Sequence, residues 1–341
     1  MIDSAALSIW AVAAIFLASA GCIAIAGVGL SRVADKLADR TGLGEVVAGA
    51  LFVGAATSLP GAITSITTAL EDAPGLAVGN ALGGLTAQTA FIAIADLFYR
   101  RANLEHAAAS VAGLAQGVLL VVLLAPALVA AAQPPVTIWG VHPVSVLIPV
   151  GYGFGLRLLT QIQAQPMWTP VQTDETRAPL STPDDQAAPA RTLWTRFAIF
   201  ASVTAVAGYF IGESSIAIVQ KTALSESAVG TVFAAIANSL PELVTAIAAA
   251  RIGAVSLAVG DVIGGNAFEV MFLCAADFFY DGSIYAAMSE RDRTTGLIAM
   301  LMTGVLLLGM LRREKTGVAR IGFESALVLL LYAGSVVLLF L

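Results

Sequence analysis

The tripeptide Ser-Leu-Pro occurs at Ser58–Pro60 and again at Ser239–Pro241, each time inside an apolar stretch long enough to cross a bilayer. Proline has no backbone N–H and crowds the carbonyl four residues before it, so an α-helix cannot run through it undisturbed. In hydrocarbon the disturbed carbonyls cannot turn to water. An interruption at that depth survives only where protein or a hydrated cavity receives it. The chain must therefore fold so that two broken helices find partners inside a helical bundle.

The composition agrees. Of 341 residues, 58% are hydrophobic and 12% charged, which excludes a soluble domain and indicates an all-α polytopic membrane protein. The 32 glycines suit close helix packing in lipid. A net charge of −6 suggests no nucleic-acid partner. Cys22 and Cys274 fall in apolar runs and read as packing residues, and His106 and His142 lie in separate loops, so neither pair supports a metal site. No Gly-x-x-x-x-Gly-Lys-Ser/Thr loop for a nucleotide is present, no cofactor is called for, and no nucleophile–base arrangement of an intramembrane enzyme is visible.

Ten spans are expected, near 7–30, 44–70, 75–99, 107–132, 141–162, 197–219, 228–250, 256–279, 294–311 and 323–341. The first lacks a preceding basic residue and a cleavage site and reads as a retained span. Of the 17 Lys and Arg residues, 14 fall in one set of alternate loops; Lys221, Arg291 and Arg293 fall in the other. The positive-inside rule then places the larger set in the cytoplasm and both termini outside. The short loops and the absence of a targeting segment suggest a bacterial inner membrane.

Shifted by 181 residues, the sequence matches itself without a gap: 22 of the 55 positions from Glu45 to Tyr99 are identical to those from Glu226 to Tyr280. Identities at Pro60/Pro241, Gly83-Gly84/Gly264-Gly265, Asp96/Asp277 and Glu45/Glu226 are not what apolar composition alone produces. Five spans per copy is an odd number, so the expected architecture is two inverted five-helix repeats, 1–162 and 197–341, with broken helices 2 and 7. A Pro-, Gln- and Thr-rich segment, 163–196, reads as a cytoplasmic, largely disordered linker.

Repeated interruptions at membrane depth are where transporters build their sites. Around the two breaks lie Thr57, Ser58, Asn238 and Ser239, all neutral oxygen donors, and Glu242 follows Pro241 directly. On the Gly-rich helices, Gln88 and Glu269 are repeat equivalents, and Asp261, Gly265 and Glu269 share one helix face. Carboxylates at mid-membrane are expensive and mark function, and all-oxygen surroundings suit Na⁺ or Ca²⁺. Gln88 and Asn266 read equally well as interhelical hydrogen-bonding glue, Asp261 as a residue of a hydrated mouth, and the glycine pairs Gly79/Gly83 and Gly260/Gly264 as packing. Asp96 and Asp277, beside Phe and Tyr at helix ends, read as interfacial anchors. Glu45 and Glu226 read as first-turn acids that complement helix dipoles.

Thr-Ser-Leu-Pro at 57–60, Gly-Asn at 79–80, Ser-Leu-Pro-Glu at 239–242 and Gly-Asp-Val-Ile-Gly-Gly-Asn-Ala-Phe-Glu at 260–269 resemble the sodium/calcium exchanger branch of the cation/calcium antiporter superfamily. The resemblance covers both halves and is stronger in the second. It implies ten spans, an ion site made by spans 2, 3, 7 and 8, and gating by spans 1 and 6. Carried over, the family's acidic ligands fall on Gly61 and Glu242, the Asn or Asp pair on Gln88 and Glu269, and two serines on Gly84 and Gly265. Gly61 thus removes one glutamate, Gly84 and Gly265 remove two hydroxyls, and Asp261 replaces an Asn.

The expected function is secondary antiport of Ca²⁺ or another cation against Na⁺ by alternating access, with these ions as substrates. The candidate site comprises Glu242, Glu269, Gln88, Ser58, Ser239, Thr57, Asn238 and Asp261. Proton coupling is the alternative within this class; a passive cation channel or an ion sensor is the alternative outside it. A monomer is among the readings left open.

Overall fold

A computed structural model describes residues 7–41, 54–99, 101–171, 173, 189–253, 255–317 and 321–341, with the side chains of 38, 39, 41, 256–258 and 261 outside that description. Glu45 and, within the 163–196 segment, residues 172 and 174–188 therefore lie outside the described residues. The described chain is all-α: α1 Ile9–Thr41, α2 Leu59–Leu70, α3 Pro74–Asp96, α4 Leu104–Ala108, α5 Val111–Ala131, α6 Val144–Ala164 and α7 Ala190–Lys221. It continues with α8 Glu226–Asn238, α9 Leu240–Ile252, α10 Val255–Phe279, α11 Glu290–Arg312 and α12 Phe323–Phe340.

Eight of these helices are long and apolar enough to cross a membrane, and the bent pair α8–α9 makes a ninth. The tenth span expected from sequence, 44–70, is represented by the 12-residue α2 and a short helical turn, Ala55–Thr57, because its first part lies outside the described residues. Several bounds differ from expectation. The first helix runs 33 residues to Thr41, about 50 Å at 1.5 Å per residue, so it projects well past the hydrocarbon. The fourth span starts at Val111 because Ser110 caps it, accepting from Gly113 N at 3.0 Å. His106 sits in the short helix α4, which is separate from that span.

α3 is the axial helix: nearly every residue from Leu76 to Asp96 is buried, with the Gly-rich α10 packed along it. α8 contains a π-helical turn, Val229–Ala234, and passes α3 at backbone distance. A Cβ on Gly79 would stand 3.0 Å from Ser227 O, and one on Gly83 would stand 2.5 Å from Thr231 Cα. The glycine stripe of the first repeat is thus a packing seam. Glu226 caps a different helix from its own, accepting from Gly75 N at the start of α3 at 2.9 Å.

α1 and α7 lie side by side against the broken helices. Gly27 of α1 abuts the Pro241 ring, and Gly208 of α7 abuts the backbone of Pro60, whose Cα would lie 2.8 Å from an added Cβ. Each residue of one contact is 181 positions from its counterpart in the other.

Asp96 and Asp277 are buried and are not interfacial anchors. Asp96 accepts from Leu104 N at 2.7 Å and Gly322 N at 3.3 Å. Asp277 accepts from His142 N at 2.8 Å, Ile284 N at 2.9 Å and Ser145 Oγ at 2.7 Å. Each carboxylate ties down the loop that follows its helix by supplying partners for buried N–H groups.

Candidate functional site

Both helix breaks fall on serine. Ser58 (φ −79°, ψ −6°) and Ser239 (φ −97°, ψ 9°) each end one helical segment and precede the next, and α8 and α9 meet at 49°. Pro60 and Pro241 occupy the start of the second segment, where a missing N–H is tolerated. Each removes the donor that would have reached the carbonyl four residues back, Ala56 in the first break and Ala237 in the second. Threonines take the prolines' own carbonyls: Thr64 Oγ1 is 2.9 Å from Pro60 O and Thr245 Oγ1 is 3.0 Å from Pro241 O.

Asn238 braces the breaks against each other. Its Nδ2 donates to Thr64 Oγ1 at 3.0 Å and to Asn80 Oδ1 at 2.8 Å. Asn80 Nδ2 in turn donates to Gly61 O at 3.0 Å and Ser65 Oγ at 2.9 Å. This chain of neutral groups joins α8, α2 and α3, and the hydroxyl of Thr64 also reaches Gly208 O on α7 at 2.8 Å. Thr64 and Asn80 were missed as site residues from sequence. Thr64 did carry a signal, since Thr245 repeats it 181 positions later.

Beside this brace lies the carboxylate centre. Gln88 Nε2 donates to Glu269 Oε1 at 2.7 Å and to Ser239 Oγ at 3.2 Å, joining α3, α10 and the second break. The charged neighbour acting on Glu269 is Glu242, in the first turn of α9, where the helix dipole favours an acid. Glu242 and Glu269 are each 4% exposed and Gln88 is 0% exposed, so the centre is closed to bulk water. Thr57, Ser58, Ser239 and Asn238 are buried too. Asp261 lies on α10, but its side chain is outside the described residues.

Three buried oxygens here have no hydrogen-bond partner among the described residues: Ser58 Oγ, Gln88 Oε1 and Asn266 Oδ1. Asn266 uses only its Nδ2, donating to Thr89 Oγ1 at 3.0 Å. Leaving a buried acceptor unmade costs about 1–3 kcal/mol, so such atoms suit a ligand that brings positive charge. Among the described residues no three His, Cys, Asp or Glu side chains converge as a ready-made metal cage. The centre instead combines two carboxylates with neutral oxygens, a donor set of the kind that suits hard cations.

Gly61, where the resemblance places a second glutamate, has no room for a side chain: an added Cβ would lie 2.6 Å from Phe272 Cε2. Gly84 lies under Glu269, whose Cδ would stand 2.6 Å from an added Cβ, and Gly265 lies under Gln88, whose Oε1 would stand 3.3 Å away.

The family model described as "Sodium/calcium exchanger protein" matches residues 11–149 and 192–341. The inner membrane protein YrbG of Escherichia coli (strain K12) is 27% identical over 294 residues, covering 80% of this chain and 81% of that protein. The sodium-calcium exchanger NCX_Mj, solved after soaking with Na⁺ and Sr²⁺, superposes with a TM-score of 0.62 at 17% identity, over 97% of this chain and 99% of that one. The H⁺/Ca²⁺ exchanger CAX superposes with a TM-score of 0.66 at 14% identity, over 96% of this chain and 82% of that one. At these identities the two structures speak for the fold.

Proposed function

Because the chain belongs to the sodium/calcium exchanger family, we propose that it is a secondary antiporter that moves Ca²⁺ or a similar cation against Na⁺ through the centre between α3, α9 and α10. The observation that carries this reading is the buried contact between Gln88 and Glu269, repeat equivalents meeting at 2.7 Å beside the second helix break. In this reading Glu242 and Glu269 supply the negative charge. Gln88, Ser58, Ser239 and Thr57 supply neutral oxygens, Asn238 holds the two breaks in register, and Asp261 lines the approach.

The architecture in this reading is ten spans in two inverted repeats, 1–162 and 197–341, with 163–196 on the cytoplasmic side and both termini outside. The reciprocal contacts Gly27–Pro241 and Gly208–Pro60 support it, since a pseudo-two-fold axis exchanges them. The membrane is a bacterial inner membrane, the location named for the relative YrbG.

Proton coupling is the second reading. It is favoured by Glu269 having the neutral Gln88 as its hydrogen-bond donor and the carboxylate Glu242 as its charged neighbour. Such a carboxylate can alternate between a cation and a proton.

The test is ⁴⁵Ca²⁺ uptake into proteoliposomes loaded either with Na⁺ or at low pH without Na⁺, with Glu242→Gln as control. Uptake that needs internal Na⁺ and is lost in the variant supports the first reading. Uptake driven by the pH gradient alone replaces it with the second. Uptake that persists in the absence of any counter-gradient, or in Glu242→Gln, sinks both.

A further inference from the structure

The two glycines that stand where the family resemblance places serines are not simply missing ligands. Gly84 on α3 faces Glu269 on α10, and Gly265 on α10 faces Gln88 on α3. Both pairs are reciprocal under the 181-residue register, and in both the side chain that reaches across is one methylene longer than Asp or Asn. A Cβ on Gly84 would collide with the Glu269 carboxylate itself, at its Oε2 and, at 2.6 Å, its Cδ. Glu269 cannot retreat freely, because Gln88 Nε2 grips its Oε1 at 2.7 Å and Ser239 Oγ grips Gln88 at 3.2 Å. The opposite pair is looser, with 3.3 Å between an added Cβ on Gly265 and Gln88 Oε1.

We propose that Gly84 is a specificity-determining position of the candidate ion site: its lack of a side chain admits the full length of Glu269, and the pair together sets where the carboxylate stands relative to a bound cation. The inference rests on the exchanger reading of this centre. Space has been moved from one helix to the other, so that the α10 carboxylate reaches further toward α3 than an aspartate would. The site radius, and with it the ranking of cations, follows from the Gly84–Glu269 pair. Gly84 acts through Glu269 and is a positioning residue.

The experiment measures ⁴⁵Ca²⁺ uptake in proteoliposomes and its competition by unlabelled Sr²⁺, Mn²⁺ and Na⁺. It compares wild type, Gly84→Ala, Glu269→Asp, the double variant and Gly265→Ala, each checked by gel filtration and thermal melting. Gly84→Ala is expected to lower uptake by about tenfold or more, and Gly265→Ala by clearly less, because its 3.3 Å contact can relax. Glu269→Asp alone is expected to reorder the competing cations, and the double variant to recover most of the uptake lost in Gly84→Ala. If Gly84→Ala does not fold, the double variant carries the test: the shorter carboxylate must restore both a monodisperse protein and uptake.

Wild-type uptake and selectivity in a folded Gly84→Ala overturn the inference, as does a double variant no better than Gly84→Ala. A wild type that moves none of these cations removes the exchanger reading and this inference with it. A transporting wild type keeps the two separable.

Discussion

Gln88 Nε2 and Glu269 Oε1 are 2.7 Å apart and their residues lie 181 positions apart in sequence, so here two repeat equivalents meet across one hydrogen bond. An amide facing a carboxylate is a pairing that needs no proton and no cation. It is also directional, because a carboxylate only accepts and the amide must therefore present its nitrogen, leaving Gln88 Oε1 without a partner among the described residues.

Gln88→Glu is expected to turn this settled pair into one that demands a cation. Two carboxylates in contact repel unless one takes up a proton or a metal ion lies between them. In cation-free buffer the variant should melt below wild type, and Ca²⁺ should raise its melting temperature more than that of wild type. A ligand at 100 times its Kd stabilises by about 2.7 kcal/mol, well within reach of a thermal-shift assay. Equal Ca²⁺ shifts in the two proteins would show that position 88 does not face the ion.

Gly61→Glu alone is expected to destabilise without restoring a ligand, because the ring of Phe272 stands where the new side chain must start, 2.6 Å from an added Cβ. Overpacking of this kind costs about 1–3 kcal/mol. Combined with Phe272→Ala, the glutamate gains room. The double variant should be less destabilised than the sum of the singles, with a coupling of about 1 kcal/mol or more. Uptake assays on the double variant should show altered cation preference. Additive stabilities with unchanged selectivity would mean that Phe272 is not what closes this position.

Glu105 is expected to give the fold a pH dependence away from the carboxylate centre. It is buried in α4, its Oε1 accepts from Ser325 Oγ at 2.7 Å, and Asp96 and Glu324 are its charged neighbours. Burial, reinforced by the Asp96 charge, pushes its carboxyl from 4.5 up to about 8. In the folded protein it therefore holds a proton that the unfolded chain has released between about pH 4.5 and 8. Stability must fall as pH rises through that window, by at most about 1.4 kcal/mol per pH unit for one group, and then level off. Melting curves from pH 5 to 9 should show this slope in wild type and a flatter one in Glu105→Gln. Identical slopes would remove Glu105 as the cause.

Much of the centre was legible because it departs from lipid-compatible chemistry. A proline, a glutamate or a glutamine in an apolar run stands out, and the repeat register pairs Gln88 with Glu269 before any coordinates exist. Groups that look ordinary in a membrane helix were not picked out as site residues, even where, as at Thr64, the repeat marks them. Thr64 and Asn80 are small, neutral and compatible with plain helix packing, so their brace to Asn238 appears only in three dimensions. Asp96 and Asp277 sit beside aromatic residues, a pattern that normally marks the membrane interface. Backbone donors of the following loops, absent from any side-chain pattern, draw them inward instead. The room taken by Phe272 at Gly61, and by Glu269 at Gly84, is a matter of volume that residue identity does not carry.

In the contacts of Gly27 with Pro241 and of Gly208 with Pro60 the glycines bring bare backbone against a proline ring and a proline backbone, and Thr64 Oγ1 donates to Gly208 O at 2.8 Å beside the second. Helices locked by interdigitating ridges must lift out of their grooves before they can shift. At these two points α1 and α7 meet the broken helices at bare backbone and rigid ring, while Phe16, Ile23 and Ile211 pack against Ala234 and Ala237 alongside. The α1–α7 pair rests on the two prolines that interrupt the helices around the carboxylate centre, so a shift at either break moves the surface against which α1 or α7 packs.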